Sequence, residues 1–125
     1  MTPDPVPLDL LEALAESTRL RIVNCLAAAP LFVSELQEIL DVPQPTVSRH
    51  LRVLRDAGLV RDTPISQYVL YRLRRPAAPA GRVLSAVLDA TRQDRGLVSE
   101  RADAMARSRR PAKSRIVLVS EERHA

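Results

Sequence analysis

From residue 8 to residue 57 the apolar side chains recur every three or four positions, the spacing of helices with one buried face. Leu8–Ala15 reads as a short helix with Leu8, Leu11 and Ala15 on one face and Leu14 beside them. Ser17 is a good N-cap for a second helix, in which Leu20, Val23 and Ala27 keep helical spacing. Ile22 and Leu26 add apolar surface there, and Pro30 ends the run. Ser34 opens a third helix through Leu36, Ile39 and Leu40, with Glu35 and Glu38 in or near the first turn, where the helix dipole favours acids. After the break Asp41-Val42-Pro43, the residues Gln44-Pro45-Thr46 start a fourth helix. Val47, Leu51 and Leu54 set its buried face, and Gly58 supplies the left-handed residue after its last turn.

Beyond Gly58 the period shortens. Leu59–Asp62 reads as a strand, Thr63–Gln67 as a turn and Tyr68–Leu73 as a second strand, which together predict a hairpin. Tyr68, Leu70 and Arg72 fall on one face of the second strand and Val69, Tyr71 and Leu73 on the other. Arg74–Pro79 is a hinge. A helical stretch then runs from about Gly81 to about Arg110, with an apolar stripe at Val83, Leu84, Val87 and Leu88, and Gly96 is the expected point of interruption. The predicted division is a flexible leader over 1–7, a compact unit over 8–75, a helical segment over 76–110 that dimerises the chain, and a mobile tail over 111–125. The tail is basic, then apolar at Ile116–Val119, then mixed.

Composition narrows the function more than the fold. The net charge is +4, but it is unevenly spread. Residues 1–60 hold five Arg against eight Asp and Glu, whereas residues 61–125 hold fourteen Lys and Arg against seven acids. A basic surface suits a polyanionic partner, because each neutralised phosphate releases condensed counterions. With two Tyr, one Phe and no Trp, the chain must build its core from aliphatic side chains. It has little material for the stacking platforms of single-strand binders. The lone Cys25 excludes an internal disulfide and reads as a small buried apolar residue. The start Met1-Thr2-Pro3-Asp4-Pro5 lacks the features of a signal peptide, and no apolar run is long enough to span a bilayer, so a cytoplasmic location is expected.

Two short helices joined by a tight turn and followed by a β-hairpin make a winged helix-turn-helix, a mainly α fold with a small β wing. With Val47, Leu51 and Leu54 turned inward, the fourth helix presents Thr46, Ser48, Arg49, Arg52 and Arg55 outward, with His50 at the margin. Gln44, Thr46, Ser48 and Arg49 occupy the end that reaches base edges in the major groove. Gln pairs with adenine there, Arg with guanine, and hydroxyls adapt to either. Arg52 and Arg55 sit further along and are assigned to the phosphate backbone, and His50 to a phosphate contact or a hydrogen bond on the helix surface. Arg61, Gln67 and Arg72 are the candidates in the wing.

At these residues the sequence resembles the ArsR family of bacterial repressors. The resemblance runs through Leu11–Ile22, then Pro43–Val60 with its Thr46-Val47-Ser48-Arg49-His50-Leu51 core, and ends with the hairpin at Tyr68–Leu73. It implies a repressor that binds double-stranded DNA as a homodimer. The first and last helices would pack across the two-fold axis, so that two recognition helices address a palindromic operator. It also prompts a check of the family's metal positions. Where the family carries Cys-Val-Cys and an acid at the start of the third helix, this chain has Phe32-Val33-Ser34-Glu35. On the last helix Asp89 is present, but Thr91 and Arg92 follow it, and His50 and His124 are isolated. No metal, no other cofactor and no visible inducer are therefore expected.

Catalysis has little support. The chain has no Gly-rich phosphate loop and no nucleophile elbow, and Glu12 and Glu16 share a helix face without a cleft. The alternatives to a sequence-specific regulator are a winged-helix module for protein interaction and a nonspecific DNA binder. Apolar residues on the outer side of the fourth helix would mark the first; the basic tail Arg107–Arg115 could serve either.

Overall fold

The computed structural model describes residues 3–115. The main elements among these residues follow in the order α1 (Pro7–Leu14), α2 (Ser17–Ala28), β1 (Leu31–Phe32), α3 (Val33–Leu40), α4 (Gln44–Asp56), β2 (Val60–Ile65), β3 (Tyr68–Leu73), α5 (Ala80–Thr91) and α6 (Arg95–Ser108). One aliphatic core joins all the helices to the inner face of the sheet. At its centre Leu10, Ile22, Leu31, Leu36, Leu51, Leu54, Leu59 and Leu84 are each fully buried. A second, smaller cluster of Phe32, Tyr68 and Leu70 covers the other face of the sheet.

The first two helices depart from the sequence expectation in their details. In α1 the buried residues are Leu10, Ala13 and Leu14, while Leu8 and Leu11 are 64% and 45% exposed. Leucines lie on both sides of this eight-residue helix, so periodicity alone allows two stripes, and packing on α2 and α5 selects one. Helix α2 is capped by Glu16 rather than Ser17, its carboxylate accepting the Arg19 N–H at 2.9 Å. It is the central helix, touched by α1, α3, α4, α5, α6 and β3. Its buried run is accordingly continuous from Ile22 to Leu26, with Leu20 and Ala27 only half-buried.

The sheet has three antiparallel strands in the order β1-β3-β2, one more than expected. Leu31 and Phe32 pair with Tyr71 and Leu70, which puts β3 in the middle. Strand β2 runs on to Ile65, past Pro64, and the hairpin turns at Ser66 and Gln67, with Ser66 left-handed at φ 57°. Proline is tolerated there because β2 is an edge strand, where a missing N–H breaks no ladder. Gly58, at φ 78°, makes the left-handed exit from α4 that its position predicts.

The C-terminal stretch is two helices, but the break falls at residues 92–94 and not at Gly96. Asp94 caps α6 by accepting the Leu97 N–H at 3.0 Å, and Gly96 sits inside the first turn. At the start of α5 only a glycine fits position 81, since a Cβ there would stand 2.1 Å from the carbonyl oxygen of Pro76. Helix α6 folds back on its own chain, against α2 and α3. Ala104 is fully buried, Asn24 donates to the Leu97 carbonyl at 2.8 Å, and Arg21 pairs with Glu100 at 2.5 Å. Arg107 bridges Asp103 and Glu38. Of the expected tail, Arg115 is anchored: it pairs with Glu35 at 2.7 Å and lies over the Phe32 ring. Residues 116–125, with Ile116–Val119 and His124, lie outside the described residues. Of the leader, Asp4 is tied to Arg74 at 2.7 Å and to the Ala77 N–H at 3.2 Å.

Candidate nucleic-acid interface

The geometry of α3 and α4 follows from a short turn and three aliphatic anchors. Helix α3 ends at Asp41, a left-handed residue at φ 54°, which a short polar side chain tolerates. Pro43 then accepts the N–H groups of Thr46 and Val47 and starts α4, with Pro45 in the first turn where no N–H is missed. Val47, Leu51 and Leu54 are all fully buried, as their spacing predicts, and they fix the rotation of α4 about its axis.

The remaining surface of α4 is polar and basic. Gln44, Arg49, Arg52 and Arg55 are exposed, and Thr46 and Ser48 are half-buried. Gln44, Ser48, Arg52 and Arg55 follow one helical row, with Pro45 and Arg49 beside it. Arg55 lies 3.6 Å from Asp62 of β2 and 3.7 Å from Asp56, so part of its charge is balanced within the chain. Val53, 39% exposed, is the large apolar residue on this side.

His50 belongs to a different environment. Its side chain is only 14% exposed and faces the start of α2, with Nδ1 3.7 Å from the Glu16 carboxylate and 3.5 Å from Arg19. Arg19 in turn donates to the carbonyl of Ala13 at 2.6 Å. It thereby ties the end of α1 to the cap of α2 and the middle of α4. Partial burial opposes the charge on Glu16, yet its carboxyl is held below the usual range by the N–H groups of Arg19 and Thr18 and the neighbouring His50 and Arg19. The sequence reading did not single out Arg19; one charge in an amphipathic run carries no signal of a contact thirty-one residues away.

In the hairpin, Arg61 and Arg72 are exposed and directly opposite each other across β2 and β3. Like charges in that relation disfavour the pairing by a few tenths of a kcal/mol. Gln67 sits at the turn and donates to the Tyr68 hydroxyl at 3.1 Å. The wing and the outer row of α4 thus carry Arg49, Arg52, Arg61 and Arg72 without an ion pair among the described residues.

At the start of α3, Phe32 and Ser34 are buried, and Glu35 is engaged by Arg115 and by the Phe32 N–H at 3.0 Å. On α5, the Thr91 hydroxyl is bound to Asn24 and to the Leu88 carbonyl. Among the described residues no group of three or more His, Cys, Asp or Glu is placed to hold a metal ion.

Residues 16–62, which span α2 to the first half of β2, match the model of the family described as bacterial regulatory protein, arsR family. The arsenic resistance transcriptional regulator ArsR1 of Pseudomonas putida is 38% identical over 90 residues, covering 70% of each chain. The chain belongs to the arsR family. A second relative of this arsR-family chain, the arsenical resistance operon repressor of Escherichia coli, is 43% identical over 76 residues, 60% of this chain and 64% of that one. Among solved structures, the transcriptional repressor BigR from Xylella fastidiosa superposes with a TM-score of 0.57 at 31% identity, over 66% of this chain and 83% of that one. The matches to several curated relatives span only 48% to 64% of their length. The winged helix-turn-helix is therefore the fold of this arsR-family chain, and no helix among the described residues is long and apolar enough to cross a membrane.

Proposed function

We propose that this arsR-family chain is a sequence-specific DNA-binding regulator of transcription, acting in the cytoplasm as a homodimeric repressor on a palindromic operator. The observation that carries the reading is the rotation of α4: three fully buried aliphatic residues leave Gln44, Thr46, Ser48 and Arg49 at the outward N-terminal end. These residues read bases in the major groove, Arg52 and Arg55 hold the phosphate backbone, and Arg61, Gln67 and Arg72 flank it from the wing. His50 backs α4 against Glu16 and Arg19 and contributes to the surface only through its exposed edge. The last of the main helices, α6, is taken up by α2 and α3 of its own chain, so the second copy docks on α1 and the exposed side of α5; at α1, Val6, Leu8 and Leu11 leave an apolar strip uncovered. Metal is not the inducer, because Phe32 and Ser34 stand where two thiolates would be needed and Glu35 is already engaged.

The test starts from a random-library selection of bound duplexes, which should return a palindrome with half-sites about one helical turn apart. In anisotropy titrations, Arg49→Ala should lose discrimination between the selected site and scrambled DNA. Arg52→Ala should weaken both and reduce the salt slope by about one. No enriched sequence, or an Arg49→Ala protein that binds its site as well as wild type, would overturn the reading.

A further inference from the structure

A cleft of about 380 Å³ lies between α5, α6 and the C-terminal end of α2, away from the outer face of α4 and the wing. Its rim carries three guanidinium groups, Arg75, Arg92 and Arg101, against one carboxylate, Asp89. Asp89 is 3.6 Å from Arg92, so it balances one of the three. Arg75 and Arg101 make no ion pair among the described residues. The Nε of Arg101 is buried and has no hydrogen-bond partner among the described residues. A buried donor without an acceptor is unfavourable, and an anion in the cleft would supply one. Ala28, Leu88 and the partly exposed Met105 add apolar surface to the lining.

The α5 residues that face the cleft recur at helical spacing, Ser85, Leu88, Asp89 and Arg92. Ala86 and Ala90 turn away from that row and are exposed, so a partner on that side of α5 need not enter the cleft. The volume falls in the range of small-molecule sites, and apolar and charged groups share the lining.

We propose that this cleft binds a small organic anion, a carboxylate on an aromatic or branched aliphatic body, with Arg101 and Arg75 gripping the carboxylate and Leu88 and Met105 receiving the body. Carboxylate suits planar guanidinium donors better than it suits ammonium groups. The proposal does not rest on DNA binding and would survive its failure.

Amide-resolved NMR titration of the full chain tests it, with benzoate, neutral benzamide and inorganic phosphate as probes. Benzoate should give saturable shifts concentrated at Ala28, Leu88 and Met105, and benzamide and phosphate should bind at least about tenfold more weakly. Arg101→Gln and, separately, Arg75→Gln should each weaken benzoate by about tenfold or more while leaving distant amides unmoved. Two variants are used so that misfolding of one leaves the other to decide. The proposal is overturned by non-saturating benzoate shifts at millimolar concentration, by benzamide binding as tightly as benzoate, by phosphate doing so, or by undiminished binding in a folded variant.

Discussion

Arg115→Ala removes a guanidinium that holds the C-terminal end of the described chain to the start of α3. Its Nη2 and Nε donate to the two oxygens of Glu35 at 2.7 and 3.0 Å, and Nη2 also reaches the Pro30 carbonyl at 3.1 Å. Both partners are largely withdrawn from water, with side chains 13% and 8% exposed. The guanidinium also lies 5.2 Å from the centre of the Phe32 ring. Truncation would leave the Glu35 carboxylate buried, with the Phe32 N–H as its remaining donor at 3.0 Å. Breaking one side of a buried pair costs about 3–5 kcal/mol, and recovered side-chain entropy near the chain end argues for the lower figure, about 3 kcal/mol. For a domain of this size that lowers Tm by about 10 °C. Urea denaturation followed by circular dichroism measures it. The double variant Glu35→Gln/Arg115→Ala should lose less than Arg115→Ala alone, because the stranded charge is gone. A loss below about 1 kcal/mol, the worth of a surface pair, or a double variant no better than the single one, would refute the reasoning.

Other outcomes follow from single sites. Leu51→Ala opens a void at a fully buried position beneath α4 and should cost about 2–5 kcal/mol in the same urea assay. The Cys25 thiol is pushed up to about 12, first by burial and then by the nearby Glu100 charge, so Ellman's reagent at mildly alkaline pH should label it only in denaturant. Since that folded value lies above the unfolded one of about 8.5, the contribution to stability is whole below 8.5 and is lost as pH rises from there toward 12. Zinc, cadmium or arsenite added at stoichiometric amounts to the protein on its selected duplex should release no DNA in an anisotropy assay. Release would contradict the assignment of Phe32 and Glu35 at the start of α3.

Helix α4 was legible because its anchors stand out: Val47, Leu51 and Leu54 keep helical spacing in an otherwise polar stretch, and they are the residues the fold buries. The hairpin was legible in β3, where six residues alternate without a breaker, but Pro64 made β2 look shorter than it is. Strand β1 was not legible, since two apolar residues running into α3 have no period of their own. The faces of α1 and α2 were set by tertiary contact: one carries leucines on both sides, and the other is surrounded. The environment of His50 depends on Glu16 and Arg19, and the basic cleft on residues from Arg75 to Met105. Neither can be seen without the packing of distant elements.

The facing pair Arg61 and Arg72 has a consequence for how the hairpin senses its ionic surroundings. In the unliganded protein, mobile counterions shield these two guanidiniums from each other, so raising ionic strength makes the rung more comfortable. On a duplex the same two groups would be neutralised by fixed phosphates, and added ions would compete for that role. Salt would thus firm up the isolated wing and loosen its grip on DNA, two opposite signs from one rung of the ladder.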